Sequence, residues 1–430
     1  MKTEQAEGVQ GLIRLSLVAL CAGAVTGVAG ALFRLTLTWA DRTRLEVLAY
    51  SHQYPYLGWL IPVIAAAVCV AIARFLVRLE PLASGSGVQH VEAVMRGEAQ
   101  PAPRGVVPVK FVGGVLAIGA GMVLGREGPT VQMGSVIGSS FGRWLGLHED
   151  DIPSLQAATA GAGLAVAFTA PLGGAIFVFE EVARAFRMRL ALMTLVACGT
   201  AMAVAQLILG SPREFHVTPP TVPAIWTLVP YIGLGLLLGA LSVAYNWLVV
   251  KGLDLFNYYA RIPVELRAAL IGALIGAIGW MEPRLIGGGD DLNQQVLTSG
   301  LSLSTLAILF AIRWFLGPVS YSAGTPGGLF APLLVVGALF GALYAGILQA
   351  WLPVPGLDPT AFAIVGMAAF FVGVVRAPFT GIVLVVEMTA TTTLFVPLLM
   401  ASFGAMLAAT LLRGEPIYDT LRTRMLRSES

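Results

Sequence analysis

Between Phe111 and Gly142 the chain has only two charged residues, and they are adjacent: Arg126 and Glu127 of the stretch GREGP. A carboxylate between two apolar runs has little water to solvate it, and ionisable groups at such depth serve ion or proton movement. Glu181 is comparable, since it stands with Glu180 at the end of Ile152–Phe179, 28 residues without Asp, Glu, Lys or Arg. Ser86 in SGSGVQ, with His90 four positions on, raises a third chemistry, a nucleophilic serine with a base. SGSG lacks the first glycine of a GxSG motif, however, and no repeat logic supports catalysis there, so no enzyme is expected. Cys21, Cys69 and Cys198 fall at no metal-ligand spacing and form no disulfide framework, which predicts neither metal nor cofactor. A net charge of +2 gives no reason to expect a nucleic-acid partner.

The elements that must hold these groups are membrane helices. Of the 430 residues 57% are hydrophobic and 12% charged, against about 25% charged in soluble proteins. Charge-free windows recur at Leu15–Phe33, Leu190–Pro212, Phe215–Val250, Trp314–Leu357 and Met388–Leu412, and about 20 apolar residues span a bilayer as a helix. Apolar segments are predicted near 11–37, 57–79, 107–125, 129–146, 154–182, 190–209, 223–250, 266–286, 303–320, 329–352, 360–375, 377–389 and 394–413. The first has no cleavage site and reads as a membrane helix rather than a signal peptide. No soluble domain is expected, since the stretch after Arg413 is short. Fifty glycines and 25 prolines predict short, tilted or interrupted helices, which lipid tolerates only inside protein or beside a watery cavity.

Three basic regions, Arg96–Arg104–Lys110, Arg184–Arg187–Arg189 and Arg413–Arg422–Arg424–Arg427, orient the chain with those loops and the C-terminus in the cytoplasm. An internal duplication is also legible. Gly125, Pro129, Gly134 and Gly138 match Gly328, Pro332, Gly337 and Gly341 at an offset of 203, and Ala170-Pro171, Gly174 and Glu180 match Ala377-Pro378, Gly381 and Glu387 at 207. Two blocks in one order predict repeat halves of roughly 10–210 and 222–413, followed by 414–430. Duplicated halves with interrupted segments at matching places are the pattern of secondary transporters.

Three Gly-rich breaks, SGSGVQ (84–89), GREGP (125–129) and GTPGGLFAP (324–332), each precede an apolar helix. A helix start offers unpaired N–H groups and partial positive charge, so such ends can bind an anion without burying a cation. These stretches resemble the signatures of the CLC family of chloride channels and chloride/proton antiporters. GREGP is similar to its GKEGP/GREGP motif, GSGVQ to GSGIP, GGLFAP to GxFxP, and GEPIYDTL (414–421) to the segment carrying its pore tyrosine. PVKFVGG, TAGAGLAVAFTAPLGGAIFVFEE and VVRAPFTGIVLVVEMT extend the resemblance over nearly the whole chain.

The resemblance implies an all-α multi-span membrane protein of two inverted repeats, without CBS domains, forming a homodimer with one pore per subunit in the inner (plasma) membrane. It gives Glu127 the role of external gate, a carboxylate that occupies a site built for chloride until a proton removes its charge. Burial favours the neutral acid and helix ends favour the carboxylate, and these opposing effects leave it switchable. Ser86 and Tyr418 are implied as hydroxyl ligands of chloride, both O–H donors without fixed charge, together with Gly87 and the backbone N–H groups near Leu329 and Phe330. Gly128 and Arg126 complete this region, Arg126 through local electrostatics rather than direct contact. Glu181 is implied as the internal proton-transfer residue, which marks antiporters, and Glu180 and Glu387 read as structural. Glu92, one helical turn after Ser86, is left without a firm role. Gln89 departs from the motif's proline, serine at position 86 favours chloride over nitrate, and Ser86 with Tyr418 argues against the fluoride-exporting branch. The expected function is chloride/proton exchange; the alternative is a passive, glutamate-gated chloride channel of the same fold.

Overall fold

The structure, a computed structural model, describes residues 2–210, 214–218, 220–351 and 356–429, with side chains from 11 to 427. The first half runs α1 (Lys2–Ser51), α2 (Leu60–Leu76), α3 (Val88–Met95), α4 (Val106–Gly119), α5 (Glu127–Trp144), α6 (Ile152–Phe168), α7 (Pro171–Phe177) and α8 (Met188–Leu209). The second runs α9 (Leu228–Tyr258), α10 (Val264–Met281), α11 (Asp290–Thr298), α12 (Leu303–Ser322), α13 (Phe330–Trp351), α14 (Pro359–Val375), α15 (Pro378–Thr389) and α16 (Phe395–Leu411), and α17 (Ile417–Glu429) follows. Six of the described helices are long and apolar enough to cross a membrane by length and composition.

Most apolar segments became the expected helices, with two corrections. The segment 107–125 is helical only to Gly119, so its stretch from Phe111 rises about 13 Å rather than the ~22 Å a helix through Gly125 would give. The reason is Gly121, whose φ of 102° belongs to glycine and turns the chain before the GREGP break. The segment 154–182 is two helices, divided where Thr169 adopts φ 55° and Ala170 leads into Pro171. Proline suits the first turn of a helix because its missing N–H would have had no partner there. Arg376 (φ 72°), Ala377 and Pro378 repeat the same device between α14 and α15.

The halves pack alike. α1 lies on α8 and α5 on α6, as α9 lies on α16 and α13 on α14. The small-residue helices α6 and α14 are the buried centres of the two halves, with Leu155–Phe168 and Ala361–Val375 buried throughout. Small side chains allow backbones to approach where lipid gives no hydrophobic drive for helices to associate. Across the pseudo-axis, α2 packs on α10 and α7 on α15.

Glu180 and Glu387 show how the halves are related. Glu180 accepts from the N–H groups of Phe379 (3.0 Å) and Thr380 (2.7 Å) at the start of α15, and from the Thr380 hydroxyl (2.7 Å). Glu387 accepts from the N–H groups of Leu172 (3.1 Å) and Gly173 (2.7 Å) at the start of α7. Each carboxylate caps the other half's helix, so α7 and α15 run antiparallel, an arrangement consistent with inverted repeats. Removing either carboxylate strands helix N–H groups. Glu180→Ala and Glu387→Ala are each expected to cost about 1–3 kcal/mol, read as a lower unfolding temperature in detergent.

A second symmetric device escaped sequence reading. Lys110, taken above as a loop cation, is fully buried in α4 and donates to the carbonyls of Ala83 (3.0 Å) and Gly85 (2.8 Å). At the matching position in α12, buried Arg313 donates to the carbonyls of Leu285 (3.0 Å), Gly287 (2.9 Å) and Gly288 (3.1 Å). Each half therefore clamps the loop before its short helix, α3 or α11, with one buried cation. A buried backbone carbonyl needs a donor, and each buried cation supplies one to its loop.

Candidate functional site

The three Gly-rich breaks are joined to one another. Gly125 N–H donates to Gly328 O (2.8 Å) and Gly328 N–H to Gly125 O (2.7 Å). Gly85 N–H donates to Thr325 O (3.2 Å) and Gly327 N–H to Gly85 O (3.0 Å). These bonds gather the starts of α3, α5 and α13 at one point, so the partial positive charges of three helix ends converge. Gly87 caps α3 with φ 85°, and a Cβ there would run into the Gln132 side chain. Gly128 has no room either, because a Cβ would lie 2.8 Å from the Cα and carbonyl oxygen of Ser86.

Glu127 opens α5 and is 1% exposed. Its carboxylate folds back over Gly125 and lies against Gly328, with the Ala331 N–H of the neighbouring helix directed at it. The acid thus occupies the seam between the N-termini of α5 and α13, where helix ends favour an anion. One of its oxygens, Oε2, has no hydrogen-bond partner. Near it the Ser86 hydroxyl and the Tyr418 phenol lie side by side, both fully buried and with no hydrogen-bond partner described beyond one another. Hydroxyl donors left in a dry place call for an acceptor. Leu329 and Phe330 are fully buried beside them. The Phe330 ring, 5.9 Å from that of Tyr418, is enclosed by Phe177 at 5.8 Å and Phe371 at 4.9 Å.

Arg126 faces another way. Its Nε donates to Ala167 O (2.9 Å) and its Nη1 to Asp290 (3.1 Å), while Nη2 meets Glu214. Glu214, in the connection between the halves, also takes Arg34 at 2.8 Å. The guanidinium is therefore committed to two carboxylates and a carbonyl. Glu214 and Asp290 were not singled out from sequence, and only contacts between distant segments reveal them.

Glu181 belongs to a second cluster. It is 3% exposed, lies in a turn of π-helix after α7, and meets the carboxyl of Glu92 from α3 and the Arg184 guanidinium at 3.4 Å. Neither Glu92 oxygen has a hydrogen-bond partner, and two buried carboxylates side by side repel each other, so this pair is a place to hold a proton. The partners described for Glu127 and for Glu181 have no residue in common. The clusters approach through α3, which starts two residues after Ser86 and carries Glu92, and through α17, which carries Tyr418 and Asp419. Arg96, Arg184 and Arg422 all reach Asp419 (3.1, 3.1 and 2.8 Å), so the three basic regions lie on one face.

Comparison with known proteins agrees with this geometry. The family described as voltage gated chloride channel matches residues 65–410. The chain is 37% identical over 419 residues to the H(+)/Cl(-) exchange transporter ClcA of Vibrio cholerae, covering 96% of this chain and 90% of that one. It is 36% identical over 425 residues to the ClcA of Citrobacter koseri, covering 97% and 90%. Among solved structures, a slow cyanobacterial Cl-/H+ antiporter superposes with a TM-score of 0.91 at 33% identity, covering 96% and 98%.

Proposed function

Because this chain belongs to the voltage gated chloride channel family, we propose that it is a secondary active transporter exchanging chloride for protons, with Glu127 as the outer gate and Glu181 as the inner proton-transfer residue. The observation that carries this reading is the position of the Glu127 carboxylate, lying in the seam of two helix N-termini close to the buried hydroxyls of Ser86 and Tyr418. Chloride and this carboxylate are both monovalent anions seeking the same donors. When Glu127 is ionised it holds the outer position itself. A proton cancels its attraction to the helix ends, the side chain swings away, and chloride takes the place it leaves.

Chloride meets the Ser86 and Tyr418 hydroxyls and the N–H groups of Leu329 and Phe330 on its path, with Gly87 and Gly128 letting the backbones come close. None of these donors is a full cation, which suits an ion that must also leave. Arg126, bound to Glu214 and Asp290, fixes the outer rim and its electrostatics. Protons reach Glu127 from inside by way of Glu181 and Glu92, which stand apart from the chloride donors. Coupling follows if the gate releases chloride only when it has taken up a proton.

The face where Arg96, Arg184 and Arg422 converge is cytoplasmic on the positive-inside rule, which puts the C-terminus inside the cell and Glu127 toward the outside of the inner (plasma) membrane. Two copies assemble as a homodimer within the lipid, each with its own pore. Coupled flux in liposomes tests the proposal: chloride and protons are expected to move in a fixed ratio. Chloride moving alone makes the protein a glutamate-gated channel.

A further inference from the structure

Asp419 follows Tyr418 in α17 and has no part in holding chloride, yet three arginines from three segments reach it. Arg96 stands at the end of α3, Arg184 precedes α8, and Arg422 lies one turn along α17. Two of them also reach the inner carboxyl pair. Arg184 touches Glu181 at 3.4 Å, and Arg422 lies 3.7 Å from Glu92 while holding Glu98 at 3.0 Å. With the Glu92–Glu181 contact the groups close a ring: Glu181, Arg184, Asp419, Arg422, Glu92 and back to Glu181.

The ring's charge is set by one proton. Arg96, Arg184 and Arg422 stand against Glu92, Glu98, Glu181 and Asp419, so a single proton on the Glu92–Glu181 pair makes the cluster neutral and its loss leaves one negative charge. Arg184 and Arg422 are shared between that pair and Asp419. A proton leaving the pair draws both guanidiniums toward it and loosens them from Asp419, and a returning proton lets them settle back. Arg184 is held at φ 46°, a left-handed conformation strained for a non-glycine residue, between its two carboxylate partners.

We propose that Asp419 is a positioning residue that links proton occupancy of the Glu92–Glu181 pair to the placement of Tyr418 at the inner end of the chloride path. The inference rests on the exchange reading above. It makes α17 the element with two arrangements that both sites bias, as coupling between sites requires.

The test is simultaneous chloride and proton flux through purified protein in liposomes, comparing wild type, Asp419→Asn, Asp419→Glu and Arg184→Gln. Asp419→Asn keeps the shape and removes the charge, so chloride flux is expected to persist while the proton-to-chloride ratio falls about fivefold or more. Asp419→Glu, which restores the charge, is expected to recover most of the ratio. Arg424→Gln breaks only the neighbouring 2.7 Å ion pair with Asp254 and is expected to leave the ratio unchanged. An unchanged ratio in Asp419→Asn overturns the proposal. If that variant fails to fold, Arg184→Gln decides, since it leaves Asp419 on Arg96 and Arg422 but cuts its link to Glu181: a lowered ratio supports the link and a wild-type ratio refutes it. Wild type that moves no protons refutes the exchange reading itself, a result distinct from any of these.

Discussion

Glu127→Gln is expected to carry chloride and move no protons. The amide matches the protonated acid in size and lacks its charge, so the attraction to the N-termini of α5 and α13 is gone and the outer position stays open. Nothing at this place can then accept or release a proton, and proton flux should fall by at least about a hundredfold, the lower range for a positioned proton-transfer group. The pH profile changes with it. In the wild type, lowering the pH protonates the carboxylate and clears the site, so chloride turnover rises toward acid; in the variant that rise disappears. Recording chloride release and external pH across a pH series checks both. Strict coupling that survives the substitution would remove Glu127 from the mechanism.

Glu181→Gln should lose proton transport to a comparable extent while chloride transport and chloride binding persist. The amide retains contacts to Glu92 and Arg184, so the local fold stands, but no proton can hop through it. Ser86, Tyr418 and the N–H groups near Phe330 are untouched, and Glu127 still exchanges protons with the outside. Chloride binding measured by calorimetry, beside flux in liposomes, separates the outcomes. Unchanged coupling would mean that protons enter by another group. Loss of chloride binding in folded protein would place Glu181 in the anion path.

Much of this arrangement is legible in sequence because its physics is local. Pro129 and Pro332 end Gly-rich breaks and so announce helix starts in an apolar setting, where broken helices have few uses. Glu180 and Glu387 declare themselves as a matched pair because the duplicated halves keep them at one offset. Their reciprocal capping, which sets α7 and α15 antiparallel, is a contact between distant segments and left no local trace. Lys110 misled for a related reason: a lysine at the head of an apolar run looks like an interfacial anchor until the Ala83–Gly85 carbonyls are folded onto it. The helix of α4 ends at Gly119 through the positive φ of Gly121, and glycine is too frequent in this chain for one such position to stand out. Glu214, Asp290 and Asp419 depend on chain reversals that bring a connection, a helix start and the C-terminal helix against arginines far away in sequence.

The claim that chloride and proton movements are coupled is tested most directly by making chloride the only driving force. Liposomes holding purified protein are loaded with high chloride and diluted into low chloride, with potassium equal on both sides and valinomycin fixing the potential at zero. External pH is recorded as chloride leaves. The account predicts that the external medium turns alkaline as protons enter the liposomes, and that this continues against an opposing pH gradient until the chloride gradient no longer exceeds it. Rapid chloride release over a flat pH trace would contradict it.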